Sequence, residues 1–417
     1  MLFTKFQLDN GLTVIHHPDS NTRLCVLNIL YKVGSRNESP QKTGFAHLFE
    51  HLMFGGSVNV PDYDSQLQLA GGENNAFTST DLTNYYLTLP YHNIETGFWL
   101  ESDRMLSLDF NAHTLEIQRN VVIEEFKERY LNQPYGDAWA KMLSMAYTKH
   151  PYAWPTIGKE ISHIEQATLE DVKSFFFSHY GPNNAIMVVA GNISLEDTKG
   201  FCEKWFGDIP SREIVTPSWP EEPVQTSARV TEINCDETLN MIMKSWHMPG
   251  RMQGGYYEAD LFSDILGSGK SSRLFRELIM EKKLFSELDC YISGDVDPGL
   301  LVVEGKLIKG ISPKTANEAV ADCIDRACKD ISNNELEKVK NRTETTIRFN
   351  AVNVLNRAMK LAYCEMLGDI QIAVDESAYY EKVGLDSLKN LASVMMKESK
   401  NGHNIKSASV IFILPIV

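Results

Sequence analysis

The sequence is poor in the features that would mark a membrane protein, a nucleic-acid binder or a disulfide scaffold. Its longest apolar runs, Ala185 to Ala190 and Val410 to Val417, fall far short of the roughly 20 residues that a membrane-spanning helix needs. The opening stretch MLFTKFQLDNGLTVIHH has no apolar signal core and alternates instead around Asn10-Gly11, which is a hairpin signature. The fold is expected to begin at once and to work in the cytoplasm, or in the periplasm if a signal peptide has been removed. Basic residues are too few to balance the acidic ones: 40 Lys and Arg stand against 55 Asp and Glu, a net charge of −15. Such a chain repels phosphate backbones and anionic lipid, so nucleic acid and membrane are not expected as partners, and a neutral or basic one is. The cysteines, at 25, 202, 235, 290, 323, 328 and 364, are odd in number, scattered and never in a C-x-x-C pair. They read as thiols of a reducing compartment, not as a disulfide framework or a Cys-based zinc site.

What is present is a large apolar content, 43% of 417 residues, which excludes disorder and supplies cores for two or three domains. One segment interrupts every period: IPSREIVTPSWPEEPV, 209 to 224, carries Pro210, Pro217, Pro220 and Pro223 and reads as a linker. Residues 1–210 and 226–417 then form two domains joined by 211–225, and they repeat. TLEDVKSFFFSHYGPNNAIMVVAGN (168 to 192) reads as helix, turn and buried strand, and 386 to 415 give the same order. Strands at 12–17 and 24–32 lead to a helix from Gly44, as strands at 228–235 and 239–247 lead to one from Gly255. Further helices are expected near 62–70, 93–107, 113–131, 136–147, 194–206, 312–330 and 334–367, and strands near 75–89, 286–294 and 300–308. Helices in runs, not in strict alternation with strands, point to α+β architecture in two copies.

The segment GFAHLFEHLMFGGS, 44 to 57, carries the chemistry. On a helix His47 and His51 are i and i+4 and share a face with Glu50, so two imidazoles can hold one metal with a carboxylate beside it. Zinc suits neutral imidazole, and a catalytic site takes three protein ligands. The same spacing also suits two core histidines and a salt-bridging Glu. A third ligand must come from elsewhere, and IQRNVVIEEFKERY (117 to 130) offers three carboxylates. At about 100° per residue Glu125 falls between Val121 and Val122 on the side of Leu115, whereas Glu124 and Glu128 turn to the edge of the apolar stripe. A buried Glu125 needs a cation, which a metal or Arg129 at i+4 would supply.

HLFEH followed 74 residues later by the second Glu of VVIEE resembles the pitrilysin family, the inverted-zincin peptidases that include insulin-degrading enzyme and the mitochondrial processing peptidase. The likeness covers nearly the whole chain through FQLDNGLTVI, AGGENNAFTSTDLTNYYLTLP, YGPNNAIMVVAGN and GSGKSSRLFREL. It implies two related α+β domains, each an antiparallel-rich sheet packed with helices, forming half of a clam-like peptidase chamber. The first domain would hold one Zn2+ through His47, His51 and Glu125, with Glu50 as the general base that activates water. It also implies that a sheet edge at Asn75, Ala76, Phe77 and Thr78 binds the peptide as an added strand. A charge of −15 would then favour basic peptides.

Two departures from the family pattern stand out. A second Glu usually lies seven residues before the third ligand, and here that position is Gln118, which can hydrogen-bond in the catalytic surroundings but carries no charge. Active single-chain members also carry, in the second half, an Arg and seven residues later a Tyr that hold the substrate and its oxyanion. Here Arg273 leads to Met280, Arg276 to Lys283, and Leu284 precedes Tyr291. The second half has no His between His247 and His403, and its copy of the metal helix, YYEADLFSDILG, is metal-blind. The expectation is a zinc metalloendopeptidase acting on peptides or small unfolded polypeptides, as the zinc subunit of a heterodimer whose partner supplies the Arg and Tyr, or as a homodimer. The competing reading is a non-catalytic assembly or scaffold subunit of the same fold. GSGKSS, 267 to 272, is not a phosphate loop, because Asp264 stands where the pattern needs Gly, and it reads as a turn between helices. His16-His17 read as a solvated pair at a strand end, and His113 and His163, the latter in a turn, lack partners at ligand spacing.

Overall fold

The computed structural model describes residues 1–214, 218–396 and 408–415. Pro217 of the linker, His403 and the stretch just before the last strand therefore lie outside the described residues. The chain folds into two compact units, each α+β, and neither is contiguous: one takes 1–128, 154–219 and 348–375, the other 129–153, 220–347 and 376–417.

The first unit is built on a six-stranded sheet of β1 (Thr4–Gln7), β2 (Thr13–Pro18), β3 (Leu24–Tyr31), β4 (Glu73–Thr78), β5 (Thr83–Pro90) and β6 (Ala185–Gly191), in the order β1-β2-β6-β3-β5-β4. Only β2 and β6 run parallel. The Asn10-Gly11 turn is where the sequence places it, between β1 and β2 paired Gln7 to Thr13, with Gly11 in the left-handed region at φ 88°. One face of this sheet packs Leu27, Ile29, Met187 and Val189 against the helices Phe45–Leu52, Ile94–Leu106 and Leu169–His179, around Phe49, Phe98 and Phe176. The opposite face, Val26, Leu30, Ile186 and Val188, is buried too, because the helix Val354–Met366 packs on β3 and β6.

The second unit repeats the plan. Its strands are β7 (Arg229–Cys235), β8 (Met241–His247), β9 (Phe285–Ile292), β10 (Leu300–Leu307) and β11 (Ser409–Pro415), in the order β7-β11-β8-β10-β9. Matched with β2-β6-β3-β5-β4, this is the same topology with the same single parallel pair, β7 with β11, so the internal repeat read from the sequence is a repeat of structure. One face of the sheet packs Ile242, Trp246, Leu301 and Val303 against the helices Tyr256–Gly267 and Pro313–Asp330. The other packs Met241, Met243, Leu300, Val302 and Ile411 against Ala138, Met142 and Ala146 of the helix Ala138–Ala146.

Several expectations need correction. The units differ from 1–210 and 226–417 because the helix Ala138–Ala146 covers the second sheet and Val354–Met366 the first. Each has an apolar face, but the pattern of a helix says that it is buried, not against which sheet. The single helix expected at 334–367 is two, Asn333–Asn350 and Val354–Met366, divided where the Asn353 carboxamide accepts from Leu355 N (2.8 Å) and starts a new helix. His16 and His17 are not solvated: β2 lies between two strands with both faces covered, and the rings are buried. His16 Nε2 meets Ile193 O at 2.9 Å and His17 Nδ1 meets Leu2 O at 2.6 Å. His163 sits in a short helix, Ile161–Glu165. The linker begins tied down, since the Arg212 guanidinium donates to the carbonyls of Phe176, Tyr180, Met105 and Leu106. No described helix is long and apolar enough to cross a membrane, and none of the seven cysteines is in a disulfide.

Candidate metal centre

The helix Phe45–Leu52 has a sequence problem at its start. Gly44 precedes it, with φ 88° and no side chain, so no local cap can satisfy the first N–H groups. Glu38 does so from six residues upstream, accepting from Gly44 N (2.9 Å), Ala46 N (2.8 Å) and the Trp154 indole (3.1 Å). Burial pushes its carboxyl up to about 8, against the pull of those donors. Thr43 is held in turn by His163, whose Nδ1 lies 2.8 Å from the Thr43 hydroxyl. A Cβ on residue 44 would come 2.6 Å from Ile157 O, so only glycine admits this approach.

Behind the helix, the Tyr85 hydroxyl donates to Phe49 O (3.2 Å). The Tyr85 ring carries the fully buried Arg104 guanidinium 4.5 Å from its centroid, with Tyr63 and Phe54 at 4.8 and 5.3 Å. Arg104 is paired with Glu101 through Nε (2.8 Å) and Nη2 (2.6 Å), and Glu101 also accepts from the Tyr63 hydroxyl (2.6 Å). The helix is therefore fixed at its start by Glu38 and along its back by Tyr85. Sequence reasoning missed both supports. Gly44 was the available signal for the first, since a helix start without a capping side chain needs a remote acceptor.

Two turns of this helix present His47 and His51 with their rings 4.9 Å apart and nearly perpendicular. The helix Ala112–Phe126 brings Glu125 to them. Its N-terminus is capped by Asn111, whose Oδ1 accepts from Thr114 N (2.7 Å), and past Phe126 it loosens into a π-helical turn, Lys127–Leu131. The Glu125 side chain is 18% exposed and Glu124 is 72% exposed, which separates the carboxylates as the angular reading did. Val121, however, is half exposed, and the buried stripe of this helix consists of Leu115 and Val122.

Glu125 Oε2 lies 3.6 Å from His47 Nε2 and 3.4 Å from His51 Nε2. Both are too long for good hydrogen bonds. They match the edge of a tetrahedron whose centre lies about 2.0 to 2.1 Å from each donor, roughly 3.4 Å, so two imidazoles and a carboxylate fit zinc in donor type and spacing. Among the described residues these three form the one group of His, Cys, Asp and Glu so disposed, all ligand atoms lying within 4.8 Å of one another.

Glu50 is half-buried on the same helix, and its Oε2 accepts from the Thr78 hydroxyl at 2.6 Å. Thr78 ends β4, the edge strand of the first sheet. Along that strand Asn75 and Phe77 are exposed, while Asn74, Ala76 and Thr78 are half-buried. An edge strand offers unpaired backbone groups to another extended chain. Gln118 lies two turns before Glu125 on the same face, half-buried, and its amide makes no hydrogen bond among the described residues. In the second unit Arg273 and Tyr291 are both engaged by neighbouring carboxylates. Arg273 pairs with Asp330 and with Glu335 (2.7 Å), and the Tyr291 hydroxyl donates to Glu304 (2.9 Å).

The family model described as Insulinase (Peptidase family M16) matches residues 13–160, and the one described as Peptidase M16 inactive domain matches 166–343. The chain is 29% identical over 406 residues to the zinc protease PqqE of Helicobacter pylori, covering 94% of this chain and 90% of that one. It is 24% identical over 405 residues to the uncharacterized zinc protease YmxG of Bacillus subtilis, covering 95% and 96%. The crystal structure of a protease from Helicobacter pylori superimposes with a TM-score of 0.92 at 28% identity, covering 99% of both chains. The periplasmic protease PqqL of Escherichia coli shares the fold, with a TM-score of 0.78 at 18% identity, and this chain spans 47% of its length. The chain belongs to peptidase family M16, the pitrilysin family, in its two-domain form.

Proposed function

We propose that this protein is a zinc metalloendopeptidase that cleaves peptides or small unfolded polypeptides. The observation that carries the reading is the approach of Glu125 Oε2 to His47 Nε2 (3.6 Å) and His51 Nε2 (3.4 Å), with the Glu50 carboxylate on the same helix as the two histidines. These three would hold one zinc ion per chain. Zinc, when bound there, supplies Lewis acidity toward water and toward the scissile carbonyl. Glu50 takes the proton of the attacking water and returns it to the leaving amine. The peptide lies along β4 as an added strand at Asn75, Ala76, Phe77 and Thr78, held by main-chain hydrogen bonds that are largely indifferent to side chains. Gln118, on the same helix face as Glu125, is neutral where the family usually has a second carboxylate, so the surroundings of Glu125 carry one negative charge fewer, which tunes metal affinity.

Oxyanion stabilisation comes from a second family subunit. The family's Arg and Tyr are missing from this chain, Arg273 and Tyr291 are engaged elsewhere, and a group of that kind contributes about 3 to 4 kcal/mol to the transition state. The chain thus supplies one half of a peptidase chamber, and its partner is a homologous subunit that carries the Arg and Tyr. The test is to isolate the chain with whatever accompanies it in its own cells and to assay peptide cleavage by wild-type and Glu50→Gln protein, with and without that companion. Cleavage that needs both Glu50 and the companion is the expected result. Full activity from the isolated chain overturns the heterodimer, and full activity of the Glu50→Gln protein overturns the peptidase mechanism.

A further inference from the structure

We propose that Thr78 is a positioning residue for Glu50, so that the strand that receives the peptide also sets the orientation of the base. This rests on the reading of Glu50 as general base. The Thr78 hydroxyl donates to Glu50 Oε2 at 2.6 Å. Among the described residues Oε1 accepts no hydrogen bond and is left to face water. A Glu side chain is rich in rotamers, and Glu50 is half-buried, so packing alone does not hold its carboxylate in one orientation. The hydroxyl does.

Thr78 can serve as a fixed reference because its own backbone is locked. It pairs with Thr83 at the end of the β4–β5 ladder. The turn beyond it is closed by Ser79 N to Leu82 O (2.8 Å) and by the Ser79 hydroxyl accepting from Asp81 N (3.2 Å). That turn is stapled to the segment before the metal helix by Ser35 N to Ser79 O (3.2 Å), Arg36 N to Thr80 O (3.0 Å) and the Arg36–Asp81 ion pair (2.8 Å). Gly34 permits the contact, since a Cβ there would lie 2.5 Å from both Ser79 O and Thr80 O. The same segment continues to Glu38, which anchors the metal helix. Strand, turn and helix start form one frame, and the Thr78 hydroxyl closes it at the base. Asn75 and Phe77, on the other face of β4, have no such link and remain available to substrate alone.

Two variants separate this role from substrate contact. Thr78→Val keeps the β-branched shape and deletes the hydroxyl, and Thr78→Ser keeps the hydroxyl. In crystal structures of the zinc-loaded proteins, Glu50 is expected in one carboxylate orientation in wild type and Thr78→Ser and in several in Thr78→Val. In the activity-bearing assembly, Thr78→Val is expected to lower kcat roughly tenfold to a hundredfold, the cost of a slightly misplaced catalytic group. KM and zinc content stay unchanged, and Thr78→Ser restores kcat. An unmoved Glu50 in Thr78→Val overturns the proposal, as does a rise in KM at constant kcat, which would make the Thr78 hydroxyl a substrate contact and not a support for Glu50. Glu50→Gln, measured alongside, tests the base itself: if it cleaves as fast as wild type, the reading of Glu50 fails whatever the Thr78 structures show.

Discussion

Removing the Arg104 guanidinium should destabilise the first unit far more than its surface counterparts would. Arg104 and Glu101 are each about 1% exposed and are joined by two hydrogen bonds of 2.6 and 2.8 Å, the bidentate geometry that gives the strongest ion pairs. Three aromatic rings lie within 5.3 Å of the guanidinium carbon. Arg104→Met leaves Glu101 buried with only the Tyr63 hydroxyl as partner, and breaking one side of a buried pair costs about 3 to 5 kcal/mol. Glu101→Leu leaves Arg104 buried and unpaired at a similar cost. The double variant removes both charges and leaves only the Tyr63 hydroxyl without its acceptor, a loss of about 1 to 3 kcal/mol, which a further Tyr63→Phe change should recover. The assay is urea unfolding followed by tryptophan fluorescence, read as a double-mutant cycle. The reasoning is refuted if either single change costs less than about 1 kcal/mol, or if the double variant loses the sum of the two.

Three further outcomes are expected. Burial lowers the pKa of His179 from 6.5 to about 4, so the folded protein resists protonating it and its contribution, full above 6.5, is lost as pH falls toward 4. That contribution is up to about 3 kcal/mol, and His179→Phe should flatten the pH dependence of stability across that window relative to wild type; parallel curves would contradict it. Gly44→Ala places a Cβ 2.6 Å from Ile157 O at φ 88°, so thermal unfolding should show a loss of at least about 1 kcal/mol with faster zinc release, and an unchanged melting curve would show that the helix start can shift. Chelation should lower the stability of the wild-type protein by about 2.7 kcal/mol if free zinc had stood at a hundred times its Kd, and His51→Ala protein should not respond to the chelator.

Much of the centre was legible in the chain because helical geometry turns spacing into direction. His47 and His51 share a face by their separation alone, and the angular placement of Glu125 against Glu124 is matched by their exposure. The repeat was legible because both copies keep strand, strand, helix at their start and helix, strand at their end. What stayed hidden depended on contacts distant in sequence. Ala138–Ala146 and Val354–Met366 each advertise a buried face, yet nothing local says which sheet receives it. Glu38 looks like a surface carboxylate until its three donors are in place. His16 and His17 alternate along β2 as if one should meet solvent, and both are buried because helices cover each face of that sheet.

The most direct test is the zinc content of purified wild-type, Glu50→Gln, His51→Ala and Glu125→Ala protein, measured by mass spectrometry of the metal and set beside peptide cleavage by the same samples with their companion subunit. One zinc per chain in wild type and Glu50→Gln, little in the other two, and cleavage by wild type alone is the predicted result. Wild-type protein without stoichiometric zinc, or cleavage undiminished by Glu50→Gln, would contradict it.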